Sequence, residues 1–396
     1  MSNDLRSRVV AVRLLNDGID PYFFKWTTGV PEEYLDPRDF PSRSVSRVTV
    51  PPTVLVLQGI FADSNYKVQK YLSVLLQWLA LVVSIILLTK DIKGKKKRMV
   101  LTLIILASIS STWFWRFHVD AGQLYIMYVM LFAISYYAMK THNKSGHLIS
   151  GLILGILVSL RPNAIVFFIP VIVLKRTRII VGAILGFFIN IMISFAIWGI
   201  SPWISYYRAI KIHGEIHLGL LDVDLIPNSI VYGLNEVEGV IRFDDVPRFL
   251  YTDSSLQFLI GLSSKDLVIA LAAILCIYMY VLFINRKSII TIECIYLLGI
   301  SAVIISEFFI PAARLSYYDV IWIIPLCLMF VLDIDYNEKV FIIVLILIGV
   351  FTLSLAENYF ICGVSGPYIA LMATIYATTI YTRGFLRQKL LRKSII

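Results

Sequence analysis

Charged residues are scarce in this chain of 396 residues, where Asp, Glu, Lys and Arg together make up 16% of the sequence. Soluble domains average about 25%. The few charged residues are separated by long apolar runs, and 58% of the residues are hydrophobic. This composition excludes a single soluble domain and predicts a polytopic membrane protein whose fold class is all-α.

Signals for metals, cofactors and disulfides are also lacking. The four cysteines contain no CxxC pair and lie in or beside apolar runs, which supports neither a disulfide framework nor a zinc site. No Gly-rich phosphate loop follows a strand, and no acidic pair stands in a soluble nucleotide-binding domain. We therefore predict no metal and no cofactor. The net charge of +10 is typical of Lys and Arg that flank membrane spans, so no nucleic acid is predicted as a partner.

Nine apolar stretches approach the length of about 20 residues that a membrane-spanning helix needs. They are 71–89, 99–115, 122–139, 179–199, 266–284, 288–306, 317–332, 340–356 and 366–382. The region 148–174 differs, because Arg161-Pro162-Asn163 divides it into two arms of about 13 residues, each about 20 Å long as a helix. Such arms are too short to cross a bilayer, so we predict two short helices that meet inside the bundle.

The basic residues indicate the orientation of the chain. Lys and Arg concentrate in short loops at 90–98, 139–147, 175–178, 285–287 and 333–339 and in the tail from 383. The positive-inside rule places these in the cytoplasm, so segments 1–70 and 200–265 face the exterior. The predicted organisation is an extracytoplasmic segment (1–70), transmembrane helices with the broken hairpin (71–199), an extracytoplasmic loop (200–265), and C-terminal helices with a cytoplasmic tail (266–396).

The N-terminal segment carries no apolar stretch that could take it across the membrane, and no signal peptide precedes it. Either this segment crosses the membrane unaided or a first span lies upstream of Met1, and we expect the second. The stretch DLRSRVVAVRLLNDGIDPYFFKW (4–26) has apolar residues at helical spacing. It predicts a short amphipathic helix along the outer membrane surface. One interpretation is an interfacial anchor in which Asp4 pairs with Arg8 and the following aromatic residues contact headgroups.

A second interpretation comes from a resemblance that several patches carry in order. The opening stretch is followed by VTVPPTVLVLQGIFA (48–62), DAGQLYIMYVMLF (120–132), SGLILGILVSLRPNAIVFFIPVIVLKR (150–176) and PAARLSYYDVIWIIPL (311–326). Together they resemble glycosyltransferase family 87, a group of GT-C-type membrane enzymes that use polyprenyl-phosphate sugars. The resemblance implies a GT-C-like helical bundle and transfer of a sugar, with inversion, to a glycan or glycolipid acceptor. It also implies a site on the exterior of the cell membrane, among membrane lipids.

The resemblance also implies roles for individual residues. Asp4 occupies the position of the general base, with Asp17 or Asp20 as alternatives. A leaving phosphate needs cations, and the candidates for the donor phosphate and sugar are Arg6, Arg8, Arg161, Gln123 and Arg314. Candidates on the acceptor side are Asp20, Tyr22, His118 and Asn228. Simpler interpretations stay open: Arg161 could extend to the exterior interface, and Gln123 could be a polar residue at a helix start.

A transporter or flippase for a lipid-linked or small polar substrate is the main alternative. Transporters often contain paired, interrupted helices, whereas this sequence has one interrupted hairpin and no second match. A membrane scaffold is a third class, and it would have no use for Arg161 in an apolar hairpin.

Overall fold

The computed structural model describes residues 3–141, 143–217, 264–284, 286, 291–309, 316–332, 334–354 and 369–381. This part of the chain is helical and contains no strand. The first ten α-helices are α1 (Asn3–Asn16), α2 (Pro52–Gly59), α3 (Tyr66–Leu88), α4 (Lys95–Ser110), α5 (Trp113–Ala121), α6 (Tyr125–Lys140), α7 (Lys144–Leu160), α8 (Phe168–Val173), α9 (Thr177–Trp198) and α10 (Ser201–His217). The last five are α11 (Ser264–Ile284), α12 (Ile292–Phe309), α13 (Ile323–Val331), α14 (Tyr336–Ser354) and α15 (Ile369–Tyr381).

Every stretch predicted as a span contains helix, but few of the helices have the length that crossing a bilayer requires. In the described residues α3 and α9 are long and apolar enough, and α4 with α5 adds a third candidate if this bent pair is one span. Both α3 and α9 leave large apolar side chains exposed, such as Leu79 and Met192. Such surfaces suit lipid contact. The all-helical class is confirmed, with two or three candidate spans.

The stretch 99–115 is not the single straight span that was predicted. Helix α4 ends at Ser110, α5 begins at Trp113, and the two axes differ by 71°. The side chains of Ser110, Ser111 and Thr112 each bond to a carbonyl of the preceding turn. Such bonds compete with the helical pattern, and Thr112 then caps α5 by accepting the N–H of Trp115.

The predicted break at Arg161-Pro162-Asn163 is present. Helix α7 ends at Leu160, Arg161 is extended (φ −144°, ψ 91°), and Pro162 begins a 3₁₀ helix that runs to Phe167 and continues into α8. Proline cannot supply the N–H that would continue α7, and it disfavours helical geometry at the residue before it. The result is the pair of short arms that the sequence predicts.

Close packing of α7 on α9 holds the first arm in place. A Cβ atom at Gly155 would lie 1.9 Å from the carbonyl oxygen of Ala183 on α9, and one at Gly151 would lie 2.1 Å from that of Ile179. The two backbones therefore approach as closely as glycine permits, which is common where membrane helices associate. Asn190 of α9 also donates to the Ser159 hydroxyl at 2.7 Å.

The N-terminal segment folds around α1 and buries it. The predicted apolar residues Leu5, Val9, Val12 and Leu15 are all buried, and so are residues on other faces of the helix, such as Val10 and Leu14. The interfacial anchor is therefore the wrong interpretation of this stretch: Tyr22 is 0% exposed and Trp26 is 8% exposed. These aromatic side chains pack inside the protein and cannot reach lipid headgroups.

Candidate functional site

The side chain of Asp4 lies at the start of α1 and is held from two sides. Arg47 Nη2 lies 3.2 Å from Asp4 Oδ1. The Gln123 side-chain amide donates to Asp4 Oδ2. The Asp4 side chain stays about one third exposed, at 32%. A carboxylate that is fixed in place yet reachable can take up a proton from a bound hydroxyl group.

The loop between α5 and α6 supplies two contacts to α1. Gly122 ends α5 in the left-handed region (φ 68°, ψ 38°), which glycine adopts at little cost. Its carbonyl oxygen accepts a hydrogen bond from Arg8, while the next residue, Gln123, bonds to Asp4. The Gly-Gln pair thus joins the N-terminal segment to the helical bundle. The predicted pairing of Asp4 with Arg8 is replaced by these contacts, although the two charges still interact.

Arg8 is a buried cation, 3% exposed, with Tyr66, Tyr125 and Tyr128 close enough to interact with its charge. Burial lowers the pKa of Arg8, and the nearby Asp4 carboxylate opposes this. Within the described residues its Nε atom has no hydrogen-bond partner. Because arginine stays charged at neutral pH, such a group favours an anion nearby.

Arg161 has a partner inside the bundle, which rules out the simpler interpretation that it extends to the exterior interface. Its Nη2 lies 2.6 Å from Glu307 Oε1 of α12, and its Nε donates to Asn163 at 2.9 Å. The guanidinium carbon lies 4.4 Å from the centre of the Tyr125 ring and 4.5 Å from that of Tyr318. The charge of Arg161 is therefore already compensated, so Arg161 is better suited to position the tyrosines than to bind a phosphate.

The two buried arginines border one group of tyrosines. The charges of both Arg8 and Arg161 interact with Tyr125 and Tyr128, whose ring centres are 5.9 Å apart. The tyrosines thus link the N-terminal segment, the start of α6 and the broken hairpin into a single constellation. These elements lie far apart in the sequence and meet only in the folded chain.

Arg6 contacts its own segment. Its Nε donates to the Leu35 carbonyl at 3.0 Å, and its guanidinium lies 4.8 Å from the centre of the Tyr66 ring. These contacts anchor the chain around α1, and the Arg6 side chain stays only partly buried.

Two of the residues predicted for the acceptor side, Asp20 and Tyr22, make contacts within the N-terminal segment. Asp20 is exposed and accepts the N–H of Tyr22 at 2.9 Å in a turn. Tyr22 is buried, and its hydroxyl donates to the Val50 carbonyl at 3.0 Å. Burial raises the pKa of Tyr22 well above its ordinary value, so the phenol stays neutral. Both residues stabilise the local fold.

His118 is buried in α5, where its Nε2 accepts the N–H of Ile126 at 3.2 Å. This bond fixes the start of α6 and takes the ring away from an acceptor role. Arg314 and Asn228 lie outside the described residues. No group of three or more His, Cys, Asp or Glu side chains in the described part of the chain could hold a metal ion.

Three residues of the site were missed by the sequence analysis: Asp36, Arg38 and Arg47. Arg47 Nη1 lies 3.5 Å from Asp36 Oδ2, and Arg38 lies near enough to interact with the charges of Asp4, Asp36 and Arg47. The signal was present, because the cluster Asp36-Pro-Arg-Asp39 stands out in a chain poor in charge. The proximity of this cluster to Asp4 could not be predicted, because it depends on how the N-terminal segment folds around α1.

The fold and the site define a class: a helical protein with candidate membrane spans and an arginine-rich carboxylate site beside them. Comparison with known families identifies it further. The model of glycosyltransferase family 87 matches residues 49–306, which is more than half of the chain, and the chain belongs to this family. Searches of curated proteins and of solved structures return no match.

Membership in the family makes the protein a membrane glycosyltransferase, and this confirms the resemblance seen in the sequence. It favours the enzyme over the transporter alternative. The matched region includes Gln123 and Arg161 and begins after Asp4, Arg8 and Arg47. Asp4 and Arg8 contact the matched region at Gln123 and Gly122, and Arg47 is linked to it through Asp4.

Proposed function

We propose that the protein transfers a sugar from a polyprenyl-phosphate donor to a glycan or glycolipid acceptor, with inversion, in a GT-C-like polytopic bundle. The observation that carries the proposal is the position of Asp4. It is a reachable carboxylate among cations, bound by Gln123 of the matched region and next to helices apolar enough to meet lipid. No cofactor is required in this reaction.

The chemistry divides between the carboxylate and the cations. Asp4 takes the proton of the acceptor hydroxyl as its oxygen bonds to the anomeric carbon. The bond from that carbon to the phosphate oxygen breaks, and its electron pair leaves with the phosphate. Arg8, buried and adjacent to Asp4, stabilises the charge that develops there. Attack on the face opposite the leaving group inverts the anomeric configuration.

The test is transfer by purified protein from a panel of polyprenyl-phosphate sugars. We expect Asp4→Asn to lose at least about a hundredfold in rate while folding normally, and Asp63→Asn, a change at an exposed carboxylate of the same segment, to retain activity. Unchanged transfer by Asp4→Asn would remove Asp4 as the base and leave Asp17 or Asp20.

We also propose that the site faces the exterior of the cell membrane. A cysteine introduced as Asp20→Cys should react with a membrane-impermeant maleimide on intact cells, whereas Lys96→Cys in the basic loop should react only after permeabilisation. Both positions are exposed, so failure to react reflects sidedness. Labelling of residue 20 only from the cytosol would overturn this placement.

A further inference from the structure

Arg47 bridges two carboxylates at the site. Its Nη2 is 3.2 Å from Asp4 Oδ1, and its Nη1 is 3.5 Å from Asp36 Oδ2. The two contacts are unequal, because 3.5 Å is longer than the usual range for an N–H···O bond. Asp36 is fixed independently: it is buried, and its Oδ1 accepts the N–H of Arg38 at 3.1 Å. If Arg47 moves, Asp36 keeps this hydrogen bond from Arg38.

A ligand can reach Arg47. The side chain is 16% exposed, and it lines a cavity between α1 and the chain that wraps it. This cavity opens to solvent, and it is also lined by Asp36, Asp39, Ser46 and Trp26. Arg47 is thus an accessible cation at the edge of the N-terminal segment and differs in this respect from the fully enclosed Arg8.

The local charge favours an anion. Three guanidinium groups, those of Arg8, Arg38 and Arg47, interact with Asp4, and the second carboxylate nearby is Asp36. Arg38 and Arg47 also repel each other. The neighbouring Lys25–Asp39 ion pair adds one charge of each sign. Cations in this group therefore outnumber carboxylates by one, and an added phosphate would relieve the repulsion between Arg38 and Arg47. The planar fork of arginine can contact two phosphate oxygens together.

We infer that Arg47 is a ligand of the donor's phosphate and that it moves to the phosphate from Asp4 when the donor binds. This inference rests on the proposed function. In the structure Arg47 contacts Asp4 Oδ1, and Gln123 donates to Oδ2. When Arg47 turns to the phosphate, Oδ1 is released to accept the proton of the acceptor hydroxyl, while Gln123 keeps the carboxylate in position. Donor binding thus prepares the base for the acceptor.

During the transfer Arg47 stays on the phosphate. The carbon–oxygen bond to the phosphate breaks, and the leaving polyprenyl phosphate gains negative charge that the guanidinium offsets. The proton goes to Asp4, and the new glycosidic bond forms at the acceptor oxygen. No further reactant is needed.

The experiment measures binding and catalysis separately. Polyprenyl monophosphate, the product of donor cleavage, is titrated against detergent-solubilised full-length protein, and thermal stabilisation gives its affinity. We expect Arg47→Gln to weaken this affinity by about tenfold or more and to raise the donor KM. Arg47→Lys keeps the charge without the fork and should lie between Arg47→Gln and the unaltered protein.

Arg13→Gln is the matched control for a purely structural role. Arg13 ties the same segment by donating to the backbone carbonyls of Glu33, Ala62 and Ser64, and it forms no ion pair in the described part of the chain. Its loss should lower the melting temperature and leave the affinity for polyprenyl monophosphate unchanged. If Arg47→Gln also lowers only the melting temperature, Arg47 is a structural tie and the inference is wrong.

Asp4→Asn separates this inference from the proposed function. The variant should still bind polyprenyl monophosphate, because Arg47 is then released from Asp4, while its turnover is lost. If unaltered protein neither binds polyprenyl monophosphate nor transfers from any polyprenyl-phosphate sugar, the proposed function fails. If unaltered protein and Asp4→Asn bind and Arg47→Gln binds equally well, only the role of Arg47 fails.

Discussion

Arg161 at the end of α7 and Glu307 of α12 form an ion pair of 2.6 Å between residues 146 positions apart in the chain. Both side chains are nearly enclosed, at 10% and 4% exposure. Asn163 donates to the same Glu307 oxygen that Arg161 contacts. The pair joins the broken hairpin to α12 of the C-terminal part.

Removing the charge of one partner of this pair should destabilise the folded protein more than removing both charges. Glu307→Gln leaves the Arg161 charge buried without its carboxylate, which typically costs about 3–5 kcal/mol. The double variant Arg161→Gln with Glu307→Gln should recover part of that loss in thermal unfolding. A double variant that is no more stable than the weaker single variant would show that the charges do not compensate each other.

The contact of Gln123 with Asp4 predicts a catalytic effect without a large change in stability. Gln123→Ala should lower kcat by about tenfold or more, because a hydrogen bond to a charged group is lost. Gln123→Glu should lower it further, since a second carboxylate would repel Asp4. Gln77→Ala, a buried glutamine of α3 that bonds to Ser73, is the control and should leave kcat unchanged.

The α7–α9 contact predicts which glycines tolerate a methyl group. Gly155→Ala would bring Cβ within 1.9 Å of the Ala183 carbonyl, so the helices must separate and stability should fall by about 1–3 kcal/mol. Gly214→Ala in α10 meets no atom within 4 Å and should be neutral or stabilising by up to about 1 kcal/mol. Equal melting temperatures for the two variants would contradict this packing.

The ion pair of Lys25 and Asp39, 2.9 Å apart, predicts a pH dependence of stability. Burial raises the pKa of Asp39 to about 6, and the Lys25 ammonium only partly opposes this. The folded state therefore binds the proton more tightly than the unfolded chain, whose Asp pKa is about 3.9. The contribution of Asp39 to stability is full below about pH 4 and is lost as the pH rises through about 6.

Thermal unfolding of the unaltered protein and of Asp39→Asn between pH 4 and 7.5 checks this. As the pH rises through this window, the melting temperature of the unaltered protein should fall relative to that of Asp39→Asn. The largest change in the free energy of unfolding that this shift in the pKa of Asp39 can cause is about 3 kcal/mol. Asp63→Asn, which alters an exposed carboxylate, should track the unaltered protein. A constant difference across the window would show that Asp39 does not titrate there.

Several features of the fold could be predicted from sequence because their causes are local. Pro162 ends α7 through the N–H that it lacks, and the apolar spacing of residues 5–15 produces α1. The bend after Ser110 was missed because three adjacent hydroxyl side chains compete with a helix that hydrophobicity alone makes continuous. The interfacial interpretation of α1 was wrong because its apolar face is covered by its own segment.

Composition, motif order and local backbone preferences were enough to predict the helical class, the short arms around Arg161 and the resemblance to the family. The partners of the charged residues could be read only from the folded chain: Asp4 with Arg47 and Gln123, and Arg161 with Glu307. A buried or half-buried charge is stabilised by whichever opposite charge or dipole folding brings within about 4 Å, and separation along the chain gives no measure of that distance.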